Sequence, residues 1–350
     1  MLDYLLLITI TITQYNWNMS SSFEKINYNL RPNKCIERKM MIEALGRLSF
    51  IDHLENYRYI GFGSPYFADF TLFHKNLGIT DLVSIEKEVA KKPRFEFNIP
   101  FAGIQMHYGE SETILPNIEL YEKKNIVWLD YDDKISNYMF SDINTFFSNT
   151  VPGSFFIISV NVEEDFMKPS ENEENKITLK EYRLNELNNR IGKERLPNEF
   201  KELNMTTKNL SMVVYEMIRR QIITSLKNRN GNSKDKVSFN QVFNFTYKDN
   251  ATILTVGGIV FNKAQNVAVK KMTFNKFTFF SNTHESYKIQ SPNLTFREIK
   301  ALDKALPDSL ETVNGKFQNK KLQNIPLIPT DIKNYAKVYR YYPNFTEANI

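Results

Sequence analysis

Between residues 33 and 55 apolar positions recur at helical spacing. Ile36, Met40, Met41, Ala44, Leu45 and Leu48 share one face, and charged side chains take the other. Downstream the chain shortens to compact apolar runs: YRYIGFG (57–63), DLVSIEKE (81–88), IQMHYGE (104–110), NIVWLDYDD (125–133) and SFFIISVNVE (154–163). Several are rich in β-branched and aromatic residues, and helix-length segments separate them. Five strands alternating with helices predict an α/β fold with a doubly wound, mostly parallel sheet.

After the fifth run the pattern changes twice. Residues 164–205 are highly charged with few core-grade side chains, and Thr178 and Glu181 have the spacing of a capping box. This segment reads as an insertion, either a lid or a partner surface. An amphipathic helix is then predicted over 206–228, with Leu210, Val213, Val214, Met217, Ile218 and Ile222 on one face. Two long strand-like runs around the turn YKDNA (residues 237–262) predict a C-terminal antiparallel hairpin. In the tail, Thr295 and Glu298 can cap a short helix that Pro307 ends. The expected organisation is a disordered or non-native segment over 1–24, a helical region over 25–56 and the α/β domain over 57–265. A basic, small α+β extension follows over 266–350.

Composition narrows the function classes. The 350 residues are 42% hydrophobic and 13% aromatic, enough for a sizeable core. One cysteine, Cys35, excludes a disulfide framework or a cysteine-built zinc site and fits a reducing, cytoplasmic setting. The four histidines, His53, His74, His107 and His284, form no HxxxH or HExxH pair. The opening MLDYLLLITITITQ is about half the length needed to span a bilayer, and no Lys or Arg precedes Lys25. Three readings compete for it: a poor signal peptide, an extra edge strand, or translated sequence upstream of a start at Met19. The last is favoured, and no membrane association is expected. From Ala251 onward there are 14 Lys and Arg against 7 Asp and Glu, while the whole chain carries a net +5. That basic end fits either a polyanionic partner or an ordinary solvated surface.

Four motifs can carry chemistry. Gly61-Phe62-Gly63-Ser64 follows the first run. Glu86 ends the second, and Gly109-Glu110-Ser111 ends the third. WLDYDDK (128–134) puts three carboxylates in four positions directly after a buried apolar run, which is costly unless they meet water, a cation or a ligand. Asp130 is the first candidate for an active-site residue and Asp132 the second, either orienting an acceptor or acting as general base. The plain alternative is an acidic turn in which Asp133 caps the next helix.

In element order, residues 57–262 resemble the class I, Rossmann-like, S-adenosylmethionine-dependent methyltransferases. That resemblance implies S-adenosylmethionine as cofactor, with the glycine loop of Gly61, Gly63 and Ser64 beside it. It also implies that Glu86 accepts hydrogen bonds from the ribose hydroxyls and that Glu110 or Ser111 meets the adenine. The chain departs from the family at Tyr59, where an acidic residue usually stands two before the first glycine. Plainer alternatives are a strand-to-helix turn at 61–64 and an exposed Glu86 paired with Lys87 or Lys91. Arg31, Lys34, Arg38 and Lys39, just before the first strand, either meet a carboxylate or phosphate of the ligand or form a solvated helix face. The expected function is methyl transfer to an unidentified acceptor. The rival is a catalytically weakened module that binds nucleic acid or a protein partner through the basic C-terminal region. A nicotinamide dehydrogenase fails on the missing third glycine and on the terminal hairpin.

Overall fold

The apolar runs become strands β1 (Arg58–Phe62), β2 (Asp81–Glu86), β3 (Ile104–Tyr108), β4 (Asn125–Lys134) and β5 (Phe155–Asn161). They are followed by β6 (Val237–Lys248), β7 (Thr252–Asn262) and the two-residue β8 (Tyr287–Lys288). The computed structural model describes residues 31–166, 177–231, 233–308, 310–313 and 316–343. The expectations for residues 1–24, including a start at Met19, lie outside them. The eight strands form one sheet in the order β3-β2-β1-β4-β5-β7-β6-β8. Pairing is parallel from β3 through β5, antiparallel for β5 with β7 and for β7 with β6, and parallel again for β6 with β8.

Helices cover both faces because strand side chains alternate and both sets are apolar. Ile60, Val83, Ile85, Val127, Leu129, Phe156 and Ile158 point to one core. There they meet α5 (Asn137–Asn149) and α7 (Thr207–Gly231). Tyr59, Leu82, Ile126, Trp128, Phe155 and Ile157 point to the other. That second core is closed by α1 (Pro32–Leu45) and α2 (Ala68–Leu77), and the short α3 (Lys92–Phe97) and α4 (Ser111–Ile114) flank β3.

The described parts of the charged segment, residues 164–166 and 177–205, pack onto the body. Its helix α6 (Leu179–Ile191) starts with the predicted Thr178–Glu181 capping box and buries Leu187 and Ile191 in the same core as α7, with Leu196 and Met205 beyond it. Its buried cation, Arg183, is balanced by Glu164 at 2.6 Å. The tail likewise joins the body: Phe274, Phe279, Ile289, Val338 and Tyr341 complete the α1 and α2 core. α8 (Asn266–Lys271) lies against that core through Val269, and α9 (Phe296–Asp303), α10 (Lys320–Gln323) and α11 (Pro329–Val338) contribute a small cluster around Leu302, Phe317, Ile332 and Tyr335. Among the described residues no helix is long and apolar enough to cross a membrane.

Candidate active site

Strand order reverses between β1 and β4, and in an open α/β sheet the crevice at the carboxyl ends of such a pair is where ligands bind. The glycine loop, Glu86 and Asp130 all stand at this end. β4 continues beyond the end of β1, so Asp130 to Lys134 remain in extended strand. The next helix, α5, is preceded by Ser136, so Asp133 caps nothing and instead pairs with Lys87 at 3.0 Å. Asp132 is exposed at the rim.

The two glycines serve different ends. A Cβ on Gly63 would lie 2.6 Å from Ser84 Oγ and 3.4 Å from Glu86 Oε2, so any side chain here would displace one or both. Ser84 and Glu86 are two apart on β2 and therefore share a face. The missing Cβ of Gly61 leaves space for a side chain of the protein itself. A Cβ there would stand 2.3 Å from the hydroxyl of Tyr59, a buried ring packed against Phe70 and Phe73. Ser64 closes a turn, its Oγ accepting from the Tyr66 N–H at 3.3 Å. Pro65 fits because helix α2 opens only at Ala68, after Phe67 takes a left-handed φ of 42°.

Glu86 is 6% exposed, and burial pushes its carboxyl up to about 7. The Glu88 N–H donates to its Oε1 at 2.9 Å, while Oε2 is the oxygen facing Gly63. Neither Lys87 nor Lys91 pairs with it: Lys87 goes to Asp133 and Lys91 to Glu88. Ser84 Oγ is buried with no hydrogen-bond partner among the described residues. Of the third motif, Glu110 is exposed at the start of α4, whereas the buried Ser111 hydroxyl donates to Asp142 Oδ2, which also accepts from the Tyr131 hydroxyl. Ser111 is therefore committed to the α5 side, and burial raises the carboxyl of Asp142.

Helix α1 supplies what the sequence reading left undecided. Its first turns are buried against the ends of β4, β6 and β7, so the basic run is not a solvated face. Lys34 Nζ lies 2.6 Å from Asp130 Oδ1 and 3.0 Å from Glu37 Oε2, with the Trp128 ring 4.4 Å beneath it. Glu37 is fully buried and accepts from the Tyr247 and Thr255 hydroxyls. Arg38 pairs with Asp69 in the first turn of α2, and Arg31 lies 3.4 Å from Asp249 in the hairpin turn. Burial opposes ionisation of Asp130, but Lys34, Arg38 and Arg31 outweigh it and hold its carboxyl below the usual range. Glu37, Asp69, Ser84 and Asp249 were not anticipated. Ser84 left a trace as a polar residue two before Glu86 in an apolar run.

The residues fit a nucleoside ligand: a close-approach glycine, an orphaned buried hydroxyl and an acceptor carboxylate converge at the switch point. Comparison with curated proteins gives no significant match. Among solved structures, Trm1 from Pyrococcus horikoshii with S-adenosyl-L-methionine aligns at 8% identity over 67% of this chain, with a TM-score of 0.39. The chain spans 57% of that protein. The O-methyltransferase TomG from Streptomyces achromogenes, in complex with SAM, aligns at 14% identity over 63% of this chain and 78% of its own, with a TM-score of 0.34. Human N-acetylserotonin methyltransferase in complex with SAM aligns at 11% identity over 66% of this chain and 57% of its own, with a TM-score of 0.31. A family model described as "Putative O-methyltransferase" matches residues 26–350, nearly the whole chain, and the protein belongs to that methyltransferase family.

Proposed function

We propose that the protein is an O-methyltransferase that binds S-adenosylmethionine across the ends of β1, β2 and β4 and methylates a hydroxyl of an unidentified acceptor. The observation that carries this reading is Glu86, a buried carboxylate whose Oε2 faces the Cβ-less Gly63 beside the orphaned Ser84 hydroxyl. Glu86 accepts from the ribose hydroxyls, which offset the cost of keeping its charge in a buried site. The Gly63 backbone makes room for the sugar, Ser64 shapes the turn, and Glu110 stands at the adenine side.

When bound, S-adenosylmethionine supplies a methyl group already activated by its sulfonium, so the protein's main contribution is positioning. Asp130, ion-paired to Lys34 and acidic, is suited to orient and unsuited to take a proton. Asp132 stands at the rim, where an acceptor enters, and receives the hydroxyl proton. The lone thiol, Cys35, supports a cytoplasmic setting. The tail aromatics Phe274 and Phe279 belong to the core, so base stacking by them does not support the nucleic-acid reading.

Calorimetric titration with S-adenosylhomocysteine tests the reading. The wild type is expected to bind in the submillimolar range and Glu86→Ala to lose at least about tenfold in affinity, the range of hydrogen bonds to a charged group. Equal binding by both proteins would remove Glu86 from the site.

A further inference from the structure

The Asp142 side chain on α5 is fully buried, and the two hydroxyls that reach it, Ser111 Oγ and Tyr131 Oη, both donate to the same oxygen, Oδ2, at 2.5 Å each. Oδ1 is buried as well and has no hydrogen-bond partner among the described residues. A buried carboxyl with one oxygen unpaired costs stability, and an apolar side chain would fill the same space without that cost. The places of its two partners show what offsets it. Ser111 ends the turn Gly109-Glu110-Ser111, and Tyr131 lies between Asp130 and Asp132 in the last part of β4. The Tyr131 ring is held by two others, edge-on to Phe62 at 4.9 Å and to Tyr138 at 5.7 Å. Phe62 is the residue between Gly61 and Gly63. At the other side of the turn the Gly109 N–H donates to the Glu86 carbonyl at 3.0 Å. The exposed Glu110 therefore springs from a backbone anchored on one side to β2 and on the other to α5.

From this arrangement we infer that Asp142 is a positioning residue for base recognition: through Ser111 it sets the turn that carries Glu110, and so governs how strictly the site selects adenine. Tyr131 holds the carboxyl within reach of Ser111. Glu110 meets the ligand, and Asp142 acts only through the turn. The inference rests on the cofactor reading given above, and it moves Ser111 from contact with the adenine to the support beneath that contact.

Two ligands test it, S-adenosylhomocysteine and S-inosylhomocysteine, in which a carbonyl oxygen replaces the exocyclic amine of the base. A carboxylate placed at that edge accepts from the amine and repels the oxygen. In calorimetric titrations the wild type is expected to prefer S-adenosylhomocysteine by at least about tenfold. Asp142→Ala and Ser111→Ala are each expected to reduce that preference to about threefold or less. Asp142→Asn keeps an oxygen for both hydroxyls and is expected to recover the preference. A ratio of two affinities on one protein is not moved by a general loss of stability, so it separates positioning from packing. An unchanged ratio in Ser111→Ala overturns the assignment, even if Asp142→Ala cannot be purified. A ratio in Asp142→Asn as low as in Asp142→Ala overturns it too, and so does a wild type that binds both ligands alike. A wild type that binds neither ligand overturns the cofactor reading itself.

Discussion

Glu86→Gln is expected to stabilise the ligand-free protein at alkaline pH while weakening its hold on a nucleoside. In the folded chain burial lifts this carboxyl from an ordinary 4.5 to about 7. A folded value above the unfolded one means that the native state holds the proton more tightly. The contribution of Glu86 to stability is therefore fully present below about pH 4.5, falls as pH rises through about 7, and is then constant. Integrating that difference gives a cost of about 3 kcal/mol near pH 8 and under about 1 kcal/mol near pH 5. Glutamine keeps the shape and the acceptor for the Glu88 N–H but carries no charge to bury. Urea unfolding of both proteins should give a variant more stable by about 2 to 3 kcal/mol near pH 8, with most of that gain absent near pH 5. The difference between the two proteins cancels every other titrating group. A gain independent of pH, or no gain at either pH, would refute the claim that Glu86 is a charge held in a dry site for a ligand.

Gly61→Ala is expected to destabilise by about 1 to 3 kcal/mol, because its methyl meets the Tyr59 ring, which Phe70 and Phe73 prevent from moving aside. An unchanged urea midpoint would show that Gly61 is not there for Tyr59. Leu187→Ala should cost about 2 to 5 kcal/mol, since Leu187 is fully buried in the α7 core. A loss below about 1 kcal/mol in the same unfolding assay would show that α6 adds little to that core.

Most of the sheet is visible in the sequence because its strands are apolar on both faces and its helices keep a clear 3.6-residue spacing. The five runs and the hairpin fall within a residue or two of the observed strands. What misleads is charge used inside the fold. The segment 164–205 reads as an insertion because charged side chains, Arg183, Glu164 and Asp165 among them, crowd its sequence. Arg183 pairs with Glu164, and Asp165 with Lys134 and Arg190, while Leu187 and Ile191, four apart, form a short apolar stripe. The gap between β1 and β2 and the position of Glu86 are legible for a different reason: the spacing from Gly63 is set by one strand-helix-strand unit. The role of Gly61 is not legible, because it depends on which way Tyr59 points.

The same reason governs the hidden half of the candidate site. Periodicity reads Ile36, Met40 and Met41 as inward and assigns Lys34, Glu37 and Arg38 to water, yet all six are buried. A cation is buried only where opposite charge meets it, and here that charge comes from Asp130, 96 residues away, and from Asp69. Neither partner is near α1 in sequence, so no local pattern can pair them. A helix carrying both signs within one turn, next to a strand that ends in carboxylates, is the trace such a network leaves. Removing one ion should strand its partner without water, so the network persists as a unit and keeps Asp130 in one orientation at the carboxyl end of the sheet. Among the described residues the network's hydrogen bond reaches Asp130 through Oδ1 alone, so the charge of Lys34 fixes that side chain from one side.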